Sequence, residues 1–171
     1  MRHFLSARFL ILVAALLTLD YCLAALFPPL KGRPDFLYLV ILDYAFFWSW
    51  ERVPFVALGI GLLRDFFGGH LFGIETLTFA ATGFLLSLAA QKLERDSLWV
   101  RLAISSLFVL LTETLRVSLG RGLEQTQGLS FELIGSLFWT TIYTTALAPL
   151  FFWFTARWLK RTPVLTQYEF F

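Results

Sequence analysis

The sequence predicts an all-α, polytopic membrane protein: a six-helix transmembrane bundle with almost nothing outside the bilayer. Three observations carry this. The 171 residues are 58% hydrophobic and only 15% charged, whereas a soluble domain carries about 25% charged residues and about 45–50% apolar ones. Mean hydropathy is +0.72. The 20 Phe and 6 Trp suit a surface that meets lipid tails and headgroups. The single cysteine, Cys22, excludes an internal disulfide framework and any four-cysteine metal site. A net charge of +2 gives no reason to expect nucleic acid as a partner.

A membrane helix needs about 20 mostly apolar residues at about 1.5 Å rise each. Six stretches qualify in order: 9–27, 36–50, 53–67, 72–90, 98–119 and 131–158. The first follows Arg2 and Arg8 and looks superficially like a signal peptide. Tyr21 before Cys22 is not the small residue a lipoprotein signal wants, so this stretch is kept as helix 1. The second and third are short and separated only by Glu51, Arg52 and the residues up to Pro54, a good first-turn proline. They read as a tight helical hairpin shielded by its neighbours, with five spans as the alternative. Pro149 is expected to kink or end the last helix. Connections around 92–97 and 120–130 are too short to fold alone, so residues 1–162 form one transmembrane domain and 163–171 a short cytoplasmic tail.

Six spans with the N-terminus inside put nine of the 14 basic residues on the cytoplasmic side: Arg2, Arg8, Arg52, Lys92, Arg95, Arg101, Arg157, Lys160 and Arg161. Lys31, Arg33, Arg64, Arg116 and Arg121 fall outside. Both termini are therefore expected in the cytoplasm.

Asp20, Asp43, Asp65, Glu75 and Glu113 lie within or at the edge of spans. Each would cost about 2.5–3.5 kcal/mol at a lipid-exposed helix centre, so each should face protein or water. Glu113 and Arg116 are three apart and can pair. Arg64 and Asp65 are adjacent, point to different sides, and need separate partners. The set reads as internal contacts that fix packing, or as a proton or substrate path. Zinc-protease, nucleophile-elbow and phosphate-loop motifs are absent, and His3 and His70 fall near opposite faces. No catalytic residue, metal or cofactor is expected.

In helix 4, Gly73, Thr76, Ala80, Gly83, Ser87 and Ala90 recur every three or four residues, a stripe of small side chains along one face. In lipid, helices associate by close backbone approach, which small residues permit. The stripe packs within the bundle or forms a docking groove for a partner's membrane helix. Gly69 with Gly73, and Ala57 with Gly61, extend the theme.

The central stretch runs Arg33-Pro34-Asp35-Phe36, then Gly61-Leu62-Leu63-Arg64-Asp65, then Gly68-Gly69 and Gly73. It resembles the bacterial rod shape-determining MreD family, with an Arg-Pro-Asp entry to helix 2, a Gly-x-x-x-Asp element ending helix 3 and a glycine eight residues later. Pro34, Asp35, Gly61, Asp65, Gly69 and Gly73 carry the match, and Arg64 departs from the family's usual apolar residue. The resemblance implies a fold similar to the substrate-binding subunit of energy-coupling-factor transporters. It implies a non-enzymatic scaffold of the cell-elongation complex in the bacterial inner membrane. The implied partners are an MreC-like single-span protein and, indirectly, MreB, RodA and its transpeptidase partner in peptidoglycan synthesis. A membrane-embedded small-molecule binding subunit is the alternative, and it would need Asp43, Glu75, Glu113 and Arg116 to converge on a pocket. In the turn after helix 3, Gly68 and Gly69 can take positive φ and let the backbone fold tightly, with Asp65 well placed to accept backbone N–H bonds at the start of helix 4.

Overall fold

The computed structural model describes residues 7–26, 32–47, 50–68, 72–92, 97–124 and 131–158. They form six α-helices: α1 (Ala7–Leu26), α2 (Phe36–Phe47), α3 (Val53–Gly68), α4 (Ile74–Lys92), α5 (Leu98–Glu124) and α6 (Phe131–Trp158). A 3₁₀ turn, Trp50–Arg52, leads into α3, so helix 2 ends three residues before the expected Trp50. Pro54 then occupies the first turn of α3, where its missing N–H has no helical acceptor to lose.

Helix α2 is the axis of the molecule and packs against all five other helices. Every residue from Leu37 to Phe46 is buried. Such a helix is apolar on all sides because all sides meet protein, which explains the near-continuous run Leu37–Leu42. Its 12 residues rise only about 18 Å. Shielding by neighbours lets so short an apolar helix sit at the centre. Tyr38 anchors the core, with ring contacts to Phe79 of α4 (5.2 Å) and Phe108 of α5 (6.0 Å).

Partner positions fix the relative directions. Asp35 and Asp43 meet Thr144 and Thr155, so α2 and α6 run parallel. Gly61 faces Thr76 while Gly83 faces Ala57, so α3 and α4 run antiparallel. Both relations follow from six helices that alternate up and down.

Among the described residues, three helices contain stretches long and apolar enough to cross a membrane: Ile74–Gln91, Leu98–Gly120 and Ile134–Trp158. Their outer faces carry Leu77, Phe84, Leu107, Phe138, Leu150 and Phe154, all exposed. An apolar surface this continuous is unfavourable in water and natural in lipid. The chain is a membrane protein.

Three expectations change here. Pro149 does not end α6, which continues to Trp158; the lost N–H frees one carbonyl, a local cost that the rest of the helix absorbs. Helix α5 runs to Glu124, five residues beyond the expected end. The residue at positive φ before α4 is Gly73 (φ +101°), whereas Gly68 is still helical. Gly69 and His70 lie outside the described residues.

Candidate functional site

Alternation brings the C-terminal ends of α1, α3 and α5 together with the N-terminal ends of α2, α4 and α6. The buried charges collect at that end. Asp35 stands just before α2, and its Oδ1 accepts the Leu37 N–H at 3.1 Å, the bond of a helix cap. Its own N–H donates to Thr144 Oγ1 of α6 at 3.1 Å, and the Arg33 N–H donates to Thr140 Oγ1 at 3.3 Å. Asp35 Oδ2 then takes a direct charge-assisted bond from Arg64 Nη1.

Arg64 is 6% exposed and links three helices. Besides Asp35, its Nε lies 3.7 Å from Glu75 Oε1 of α4. Its guanidinium sits 5.8 Å from the ring centres of both Tyr38 and Phe79, a cation–π setting for a charge removed from water. Glu75 Oε1 also accepts from Arg116 Nη1 of α5 at 3.4 Å. Arg116 Nη2 donates to Glu113 Oε2 at 2.8 Å, the expected pair three residues apart, and Glu113 Oε1 accepts the Tyr38 hydroxyl at 2.7 Å. One connected network, Asp35–Arg64–Glu75–Arg116–Glu113–Tyr38, thus joins α2, α3, α4 and α5.

Asp65 turns the other way, as adjacent residues on a helix must. Its Oδ1 accepts the Glu75 N–H at 3.1 Å, and its Oδ2 accepts the Thr76 N–H at 2.9 Å and the Thr76 hydroxyl. The Gly73 carbonyl accepts the Leu77 N–H, so Gly73 occupies the cap position of α4 without a side chain to cap with. Asp65 supplies from α3 the carboxylate that a capping Asp would supply locally. Gly61, one turn earlier on the same face, makes this possible. A Cβ there would come within 2.7 Å of Thr76 Cα, so only glycine lets the first turn of α4 approach closely enough for Asp65 to reach it. The four-residue spacing of Gly61 and Asp65 is therefore one device: an approach and a cap.

The small-residue stripe turns inward. A Cβ on Gly83 would lie 2.5 Å from Ala57 Cβ. Ser87 and Ala90 are buried at 4% and 2%, and the Thr76 hydroxyl is committed to Asp65. Ala80 is half-buried and Gly73 lies in the preceding turn. Helix α3 occupies the face at Gly83, so the expectation of an open docking groove is corrected there: the close approach that small residues permit is used within the chain.

Of the four residues on which a ligand pocket would depend, Glu75, Glu113 and Arg116 converge and Asp43 does not. Asp43 lies about two turns further along α2, where its Oδ1 accepts the Thr155 hydroxyl at 2.8 Å. Asp20 of α1 is 4% exposed at the charged end, within electrostatic range of Asp35 and Arg64. Sequence reasoning missed Arg64 as the hub, and with it Tyr38 and Thr144. Helix alternation was the available signal for Arg64 and Tyr38, because it places the end of α3 beside the start of α2; Thr144, in the middle of α6, carried no such signal. Among the described residues, no group of three or more His, Cys, Asp or Glu is arranged to hold a metal.

A family profile described as rod shape-determining protein MreD matches residues 1–161, nearly the whole chain. The chain belongs to the MreD family. No curated protein and no solved structure gives a significant match. The membership places the chain among shape-determining membrane proteins rather than in an enzyme family. Asp35 caps α2, Gly61 and Asp65 fasten α3 to α4, and Gly73 opens α4. Four residues of the MreD-like motif, Asp35, Gly61, Asp65 and Gly73, thus serve this one end of the bundle.

Proposed function

We propose that this MreD-family chain is a non-enzymatic scaffold of the cell-elongation complex. It crosses the inner membrane six times with both termini in the cytoplasm, in an arrangement like that of energy-coupling-factor binding subunits. There it holds an MreC-like single-span partner and through it connects to MreB and to the peptidoglycan synthases. The observation that carries the reading is the charged end itself. The guanidiniums of Arg64 and Arg116 are spent on Asp35 and Glu75 across helices and on Glu113 within α5, which suits a rigid frame better than a path along which substrate moves. In the proposed topology that end faces the periplasm, where an MreC-like protein has its soluble part.

The test is co-purification of the full chain, extracted in mild detergent, with a co-expressed single-span, coiled-coil-bearing partner. The reading expects a stable complex. A chain that leaves the partner behind but retains a small molecule through purification would instead support a transporter's binding subunit. Asp65→Asn is expected to lower the unfolding midpoint through the loosened α4 cap. An unchanged midpoint with loss of the partner would make Asp65 a partner contact.

A further inference from the structure

The end opposite the buried acids carries the start of α5 and the end of α6. A groove of about 400 Å³ runs between these two helices, lined by Leu102 and Ser106 of α5 and by residues of α6 from Thr141 to Pro149. Its walls are apolar. The Ser106 hydroxyl donates to the Ala103 carbonyl and the Thr141 hydroxyl to the Leu137 carbonyl, and the Thr145 hydroxyl is buried out of reach. The eight-residue step from Thr141 to Pro149 makes the groove about 12 Å long. A membrane helix, about 10–12 Å across, would stand mostly outside so slight a space and would find no hydrogen bond in it. A single acyl chain is slim enough to lie within.

Followed toward the helix ends, both walls lead to aromatic rings and then to charge. Trp99 precedes Leu102 by one turn and Trp153 follows Pro149 by one turn, so each continues its wall. The two are 82% and 64% exposed, as suits rings at headgroup level. Arg157 stands one turn beyond Trp153, exposed, with its guanidinium 5.9 Å from the centre of that ring. With Ala146, the middle of the span Ile134–Trp158, at the bilayer centre, Arg157 lies about 16 Å away, just past the edge of a hydrocarbon core about 30 Å thick. Among the described residues, no carboxylate forms an ion pair with Arg157. By sequence, the segments joined to the helices at this end carry nine basic residues against four acidic ones, Glu51, Glu94, Asp96 and Glu169. That count takes in every residue of those segments, so the positive surplus does not depend on where any one side chain lies, and it attracts anionic headgroups.

We propose that the α5–α6 hairpin holds one anionic phospholipid, with its headgroup at Arg157 and one acyl chain in the groove. Charge at headgroup depth, aromatic rings beneath it and an apolar slot below them follow the order of the parts of such a lipid. In the proposed topology the lipid belongs to the cytoplasmic leaflet. The inference does not rest on which partner the protein holds.

The experiment takes the full chain in mild detergent and adds phosphatidylglycerol and phosphatidylcholine with identical chains in equal amounts. Native mass spectrometry counts the lipids that stay bound. The wild type is expected to keep one phosphatidylglycerol under conditions that strip phosphatidylcholine. Arg157→Gln is expected to reduce that preference about fivefold, the effect of one basic side chain near the membrane surface. Ala146→Trp fills the groove from an exposed position and is expected to lose the retained lipid while unfolding at the wild-type midpoint. Should it fail to fold, Ser106→Leu fills the groove from α5 with the same expectation. Equal retention of the two lipids, an Arg157→Gln chain with the wild-type preference, or groove-filled variants that keep phosphatidylglycerol would each overturn the inference. So would an Ala146→Trp chain that released a co-expressed single-span partner yet kept the lipid, because the groove would then take a helix.

Discussion

Helix α3 is held in two ways along its length. At Arg64 it is tied by charge to Asp35 and to Glu75. Two turns earlier, at Ala57, it is held by the missing side chain of Gly83, which brings the two backbones together. The first device is directional and depends on partners from several helices; the second is steric and involves one neighbour. In lipid neither gains much from the hydrophobic effect, since the tails are as apolar as the side chains. What remains is electrostatics freed from water's screening and dispersion across closely packed surfaces. The two should therefore fail differently.

Arg64→Ala is the largest break. It strands Asp35 and weakens the pairing of Glu75, and loss of one member of a buried ion pair costs about 3–5 kcal/mol. Thermal or denaturant unfolding in detergent is expected to show this loss. Gly83→Ala comes next, at about 1–3 kcal/mol for overpacking, because its methyl would meet that of Ala57 at 2.5 Å. Adding Ala57→Gly moves the methyl from one helix to the other and should restore most of the loss. No such single-residue rescue is expected at Arg64. The smallest effect belongs to Thr144→Val, which removes the acceptor of the Asp35 N–H and should cost about 1 kcal/mol. A loss at Thr144 as large as that at Arg64 would mean that the α2–α6 link, not the ion pairs, carries this end.

Much of the architecture was legible before the structure. The number and order of the six helices follow from apolar length, although α2 is shorter and α5 longer than that length suggests, and pairing of Glu113 with Arg116 follows from helical spacing. The opposite orientation of Arg64 and Asp65 follows from their adjacency. Asp65 as a cap was readable from the glycine-rich turn that follows it, although the left-handed residue proved to be Gly73. Two things were hidden. The direction of the helix 4 stripe was not decidable, because small residues mark a close approach without saying whose backbone approaches. The hub role of Arg64 depends on Asp35, 29 positions away, and on the order in which helices surround α2. Local periodicity reports the face of a helix but not its neighbour.

The account's central claim is that the charged end is a clamp, stabilising because Arg64 and Arg116 pair with Asp35, Glu75 and Glu113. The direct measurement is a mutant cycle on the full chain in nanodiscs: Arg64→Met alone, Asp35→Asn with Glu75→Gln, and all three together, each by reversible unfolding. The clamp predicts strong coupling, with the triple variant clearly more stable than Arg64→Met alone because no unpaired charge is left around position 64. Simple addition of the separate losses would contradict it.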